Sequence, residues 1–158
     1  MIYIKKINFK RLIISILISL GVGVVAGLIT RESIAAYSAI NKPVFAPPSW
    51  LFPAVWTLLY ILMGISAYLV SGSQCADKQN AIKLYALQLG VNFLWPIIFF
   101  SFKLYFVAFV WILLLWVLII AMILKFYRCN KASAYLQIPY LLWVTFATVL
   151  TYAVANIN

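Results

Sequence analysis

The chain has 158 residues, of which 67% are hydrophobic and 9% charged, and its mean hydropathy is +1.09. A soluble globule is nearer half apolar and a quarter charged, so a water-facing exterior is excluded and the outside must face lipid. Twelve lysines and arginines stand against two acids, Glu32 and Asp77, a net charge of +10; with no basic stripe or RNA-binding motif beside them, nucleic acid is not an expected partner.

The expected fold is all-α: one integral membrane bundle of five transmembrane helices over residues 1–158, with spans at about 12–29, 50–70, 82–101, 104–124 and 134–154. Each is close to the ~20 residues a helix needs to cross hydrocarbon. The first span follows Lys5, Lys6, Lys10 and Arg11. This start has the form of a signal peptide, with Val24-Val25-Ala26 as a cleavage site, but the apolar run is long for that role and an uncleaved helix is expected. Inside it, Gly23-Val24-Val25-Ala26-Gly27 is a G-x-x-x-G, suited to close packing within the bundle or between two copies.

Residues 42–60 are the most informative stretch. Pro43, Pro47 and Pro48 fix φ and remove backbone donors, which predicts a stiff extended segment over 43–48. Ser49 is the expected N-cap of the next helix. Trp50 sits at its mouth, and Pro53, Trp56 and Tyr60 share one face at i, i+3 and i+7. A rigid segment over an aromatic helix face suggests the lid and wall of an apolar pocket; a connector beside an interfacial aromatic belt is the alternative.

In the third span Gln88, Asn92, Trp95 and Phe99 fall at i, i+4, i+7 and i+11 on one face. An Asn at mid-span must face the bundle interior, either bonding another helix or orienting a ligand's polar group. The short Phe102–Lys103 break predicts antiparallel third and fourth helices. In the last span Pro139, Trp143, Ala147 and Thr151 recur every four residues. Ala147 opposite bulky rings either leaves a gap for a flat ligand or permits tight helix packing. Pro53, Pro96 and Pro139 are expected to bend three helices around a cavity. Cys75 and Cys129 fall in loops on one side, expected to be cytoplasmic and reducing, and are expected to remain thiols.

Lys5, Lys6, Lys10, Arg11, Lys78, Lys83, Lys125, Arg128 and Lys131 lie on one side, and Arg31, Lys42 and Lys103 on the other. That bias predicts a cytoplasmic N-terminus and an external C-terminus, in a bacterial plasma membrane. Chemistry is sparse. Histidine is absent, and the two carboxylates sit in loops, so neither a His-based site nor paired acid–base catalysis has its residues. No metal site is expected. Lys83, one residue inside its span, is the sole charge within the spans, which argues against a coupled ion transporter.

Lys42-Pro43-Val44-Phe45-Ala46-Pro47-Pro48, Trp56, Tyr60 and Met63-Gly64 together resemble the tryptophan-rich sensory protein / translocator protein family. So do Gln88, Asn92, Trp95-Pro96 and Phe99-Phe100, and, near the end, Pro139-Tyr140, Trp143, Phe146-Ala147-Thr148 and Leu150-Thr151-Tyr152. The resemblance covers most of 37–158 and implies a receptor or sensor, often homodimeric. It implies a pocket for porphyrin-type tetrapyrroles, such as protoporphyrin IX, under the 30–49 loop, with no cofactor required. The lining it implies is Tyr37, Pro47, Trp56, Asn92, Trp95, Trp143, Phe146 and Ala147. Two alternatives come with it: light- and oxygen-dependent porphyrin breakdown, with Trp56 and Trp143 as the catalytic candidates, or transport of tetrapyrroles and other lipophiles. Two positions depart from the family pattern, and one associated motif is incomplete. Phe45 stands where Trp is usual and Thr151 where Asn is usual near the pocket floor. No Lys or Arg follows Tyr152, so the proposed cholesterol motif is incomplete and steroid transport is not carried over.

Overall fold

The computed structural model describes residues 7–158; Lys5 and Lys6, counted above toward the basic end, lie outside the described residues. Helix α1 spans Phe9–Ala36 and runs into a 3-10 turn at Tyr37–Ala39. Then come α2, Leu51–Ser71, and α3, Lys78–Pro96 with a π-helical turn at Ile97–Ser101. Helix α4 covers Tyr105–Cys129, the short α5 Lys131–Tyr135, and α6 Ile138–Ile157. Five segments are long and apolar enough to cross a bilayer: Phe9–Ala39, Leu51–Ser71, Lys78–Ser101, Tyr105–Cys129 and Lys131–Ile157. Successive spans alternate in direction. Lys10, Arg11, Lys78, Lys83, Lys125, Arg128 and Lys131 therefore gather at one end, and Arg31, Lys42 and Lys103 at the other.

Lipid does not drive helices together as water does, so association depends on close approach and interhelical hydrogen bonds. Both are visible between α1 and α2. Ser15 Oγ donates to the Gly64 carbonyl at 2.7 Å and Ser19 Oγ to the Tyr60 carbonyl at 2.7 Å. A Cβ on Gly64 would fall 2.5 Å from Ile16 Cα, and one on Gly23 would fall 2.3 Å from the Tyr60 ring, whereas Gly27 faces open space. The G-x-x-x-G of α1 thus packs within the bundle through Gly23. Met63, Val70, Ile112, Ile119, Met122, Tyr140 and Val144 fill the interior, while Leu17, Leu28, Phe106, Val117 and Leu142 point outward, as a lipid-facing surface requires.

Several local expectations are corrected. Trp50, not Ser49, occupies the N-cap position of α2, with no side-chain cap bond. The proline segment is not extended throughout, because Ala46 N donates to the Pro43 carbonyl at 3.0 Å and closes a turn. Pro53 and Pro139 lie in first helical turns, where the missing N–H had no partner to lose, so neither bends its helix. At Pro96 the α-helix gives way directly to the π turn. Lys103, at φ 55°, carries the corner into α4 in the left-handed region.

The cysteines also overturn their expectation. Cys75 and Cys129 form a disulfide, with Cα atoms 4.9 Å apart across a sequence separation of 54. The compartment argument ignored tertiary geometry. The α2–α3 loop folds against the last turn of α4, where Lys125 pairs with Asp77 beside the bond.

Candidate functional site

A polar layer crosses the middle of the bundle. Tyr60 Oη on α2 donates to Asn92 Oδ1 at 2.8 Å, Asn92 Nδ2 on α3 donates to Tyr140 Oη at 2.6 Å, and Tyr140 on α6 donates to Gln88 Oε1 at 2.8 Å. With water excluded, these groups satisfy one another across three helices. Asn92 therefore makes the interhelical bonds that were one of its two expected roles, with both ends of its amide engaged.

Aromatic rings build outward from this floor. Trp56 lies one turn from Tyr60 on α2, its ring 5.8 Å from that of Tyr60 and 6.2 Å from that of Tyr140. Trp143 on α6 meets Phe52 edge-on at 5.9 Å and Phe146 at 5.5 Å. Phe52 reaches Tyr37 at 6.4 Å, and Tyr37 meets Phe100 at 5.5 Å and Phe99 at 6.0 Å. Phe99 stacks on Trp95 at 5.2 Å. The loop closes the top: Phe45 packs edge-on to Phe146 at 6.5 Å, Pro47 is half-buried, and Lys42 Nζ sits 4.8 Å over the Tyr37 ring. Asn158 Nδ2 donates to the Asn41 carbonyl at 3.0 Å, tying the end of α6 to the loop.

The expected lining residues other than Asn92, which sits in the floor, thus lie toward one end of the bundle, but their packing differs from an open pocket. Ala147 is buried, so no open gap remains beside it. Rings fill the space, and a cavity among Tyr37, Phe99, Phe100 and Tyr105 measures about 10 Å³. Thr151, expected near the pocket floor, turns back on its own helix and donates to the Ala147 carbonyl at 2.7 Å. Phe52 was missed. It joins α2 to both Tyr37 and Trp143, and its i, i+4 spacing to Trp56 was the available signal. Taking Pro53 as the start of the face concealed it, since Pro53 is exposed.

The indole N–H groups divide the tryptophans. Trp111 Nε1 donates to the Val91 carbonyl at 2.8 Å and Trp116 Nε1 to Thr145 Oγ1 at 2.9 Å. Trp95 Nε1 and Trp143 Nε1 are buried with no acceptor in the protein. A buried unmet donor costs about 1–3 kcal/mol, so these two are sites where a bound acceptor would be stabilising. Charge near this end is wholly basic apart from Glu32, through Arg31, Lys42 and Lys103. At the opposite end, hydrogen bonds from Lys125 first and Asn80 second hold the Asp77 carboxyl below the ordinary carboxylate range. Among the described residues no group of three or more His, Cys, Asp or Glu comes together as a metal site.

Comparison with known proteins places this architecture. The TspO/MBR family profile matches residues 15–157. Tryptophan-rich protein TspO of Archaeoglobus fulgidus is 37% identical over 152 residues, covering 96% of this chain and 99% of that protein. Protein CrtK of Rhodobacter capsulatus is 37% identical over 126 residues, 78% of this chain and 79% of its own. The human Translocator protein is 34% identical over 143 residues, 89% and 85% respectively. Five lipid-facing helices and these matches make the chain an integral membrane protein with a sensor, receptor or transporter role, and it belongs to the TspO/MBR family.

Proposed function

We propose that the protein is a membrane receptor for porphyrin-type tetrapyrroles and similarly flat hydrophobic molecules, bound between the prolyl lid and the Tyr60–Asn92–Tyr140 floor. The observation that carries this reading is the buried, acceptorless indole N–H of Trp143 within the aromatic layer. A planar macrocycle entering there exchanges ring–ring contacts for ring–macrocycle contacts and supplies acceptors to orphaned donors. A tetrapyrrole's carboxylates suit the basic outer rim, where Lys42 already lies over Tyr37. The excess of Lys and Arg at one end supports a cytoplasmic position for it, while the Cys75–Cys129 disulfide at that same end argues for an oxidising side. Pairing with a second copy, which the resemblance implied, would use a surface other than Gly23, since that position is filled by Tyr60.

Titration of the purified protein with protoporphyrin, followed by tryptophan quenching, tests the reading. Saturable binding at one ligand per chain is expected; quenching that rises without saturation overturns it. A second reading is favoured by the contacts of Trp56 with Tyr60 and Tyr140, which set oxidisable rings side by side. Protein-dependent loss of the pigment under light and oxygen, abolished by Trp143→Phe, would identify breakdown rather than binding alone. Pigment that survives illumination unchanged leaves the receptor.

A further inference from the structure

The bundle carries a second recess at the end opposite the lid. Where the start of α1 meets the end of α2 and the start of α3, a cleft of about 340 Å³ opens, a volume within the range of small-molecule sites. Its walls are apolar: Ile14 and Ile18 from α1, Ala67 from α2 and Ile82 from α3. Ile14 and Ile18 are exposed, so the α1 wall faces hydrocarbon.

Two polar groups interrupt this surface. Arg11 stands at the mouth, on the first turns of α1, and is exposed. The ion pair found among the described residues joins Lys125 to Asp77, so the Arg11 guanidinium has no carboxylate. Tyr85 is more than nine-tenths buried, lines the cleft, and its hydroxyl has no partner in the protein. The Ser19 hydroxyl interacts with it only weakly, outside hydrogen-bond geometry, and gives its own proton to the Tyr60 carbonyl. The hydroxyls of Ser15 and Ser71 are likewise engaged, with the Gly64 and Tyr68 carbonyls.

The occupant these groups fit has an anionic head for Arg11, an apolar chain for the isoleucine walls, and an acceptor at the depth of Tyr85. Water is scarce beside a lipid-facing wall, and a lipid lying along it brings an ester carbonyl as an acceptor. Lys10, Lys78 and Lys83 lie at the same end, and its acid, Asp77, is already paired. We propose that this cleft binds one anionic glycerophospholipid from the leaflet at the basic end. Its phosphate rests on Arg11, an ester carbonyl accepts from Tyr85, and an acyl chain lies along Ile14, Ile18, Ala67 and Ile82. Basic recesses between membrane helices recognise anionic head groups in this way.

Native mass spectrometry of the protein released from phosphatidylcholine nanodiscs containing a minor fraction of phosphatidylglycerol tests the site. The wild type should retain one phosphatidylglycerol, about tenfold over phosphatidylcholine after correction for abundance. Arg11→Gln should cut that preference at least about fivefold, Arg11→Lys should keep part of it, and Tyr85→Phe should weaken retention of both lipids. Lys131→Gln, at the same end but away from the cleft, should change nothing. An unchanged preference in Arg11→Gln overturns the proposal. So does an equal loss in Lys131→Gln, which would mean diffuse surface attraction. Displacement of the lipid signal by excess inorganic phosphate would point to a free anion. Disulfide cross-linking between two chains through Ile18→Cys would give the cleft to a second copy. Either result sinks the lipid assignment.

Discussion

Tyr140→Phe removes one oxygen from the middle of the polar layer while keeping the buried ring. Tyr140 is 0% exposed, and its hydroxyl accepts from Asn92 Nδ2 and donates to Gln88 Oε1. Gln88 Nε2 already has no partner, so the substitution leaves the whole Gln88 amide unpaired, together with the Asn92 Nδ2 that Tyr140 accepted. Tyr60→Phe is the milder change, because it orphans Asn92 Oδ1 alone. Each orphaned group costs about 1–3 kcal/mol in a folded interior. Interhelical bonds measured in a membrane protein average about 0.6 kcal/mol, because the unfolded reference also finds partners. Between these limits, Tyr140→Phe should destabilise by about 2 kcal/mol and Tyr60→Phe by about 1 kcal/mol. The first is a shift of roughly thirtyfold in the folding equilibrium. Unfolding in mixed micelles with increasing SDS, followed by tryptophan fluorescence and far-UV circular dichroism, measures both. A Tyr140→Phe cost no larger than that of Tyr60→Phe would refute the chain of bonds as drawn.

Gly64→Ala should destabilise by about 1–3 kcal/mol, because its Cβ meets the Ile16 backbone, which cannot swing aside, as well as Ser19 Oγ; Gly27→Ala, facing open space, should be near neutral in the same assay. Reduction of Cys75–Cys129 should lower stability by at most about 4 kcal/mol, the loop-closure value for a separation of this size. Membrane-held helices in the unfolded state make the measured loss smaller, and no change on adding reductant would show that the bond constrains nothing. Stability contributed by the Asp77–Lys125 pair is present above the unfolded aspartate pKa, near 4, and is lost as pH falls through the lower folded value. Asp77→Asn should remove that acid-side loss, and an identical acid profile in the variant would exclude the pair as its source.

The five spans were legible because apolar runs of membrane length leave little choice of fold. Boundaries were less so. The structure carries α1 to Ala36 where the hydropathy run suggested 29, and sets the short α5 before α6. Trp56, Trp143, Phe146 and Ala147 were grouped by helical spacing and by the family motifs, and Tyr37 by the pocket the resemblance implied under the 30–49 loop. Phe52 was not, since a face chosen from Pro53 runs beside the buried one. The disulfide was invisible to an argument from compartments, because it depends on where a loop lands against the end of α4. The collapse of rings into the expected pocket was equally hidden. Spacing shows which residues share a face, but not whether facing side chains leave room.

The placement of the tetrapyrrole between lid and floor is tested most directly by protoporphyrin affinity in Ala147→Phe beside Leu142→Phe. Ala147 is buried at the level of the aromatic layer, whereas Leu142, 65% exposed, faces lipid. Both add a ring to α6, so general effects on the helix are shared, and circular dichroism verifies that each variant remains folded. The account predicts at least a few-fold weaker binding in Ala147→Phe and wild-type affinity in Leu142→Phe. Equal affinity in the two folded variants would contradict it and move the ligand out of the space between α2 and α6.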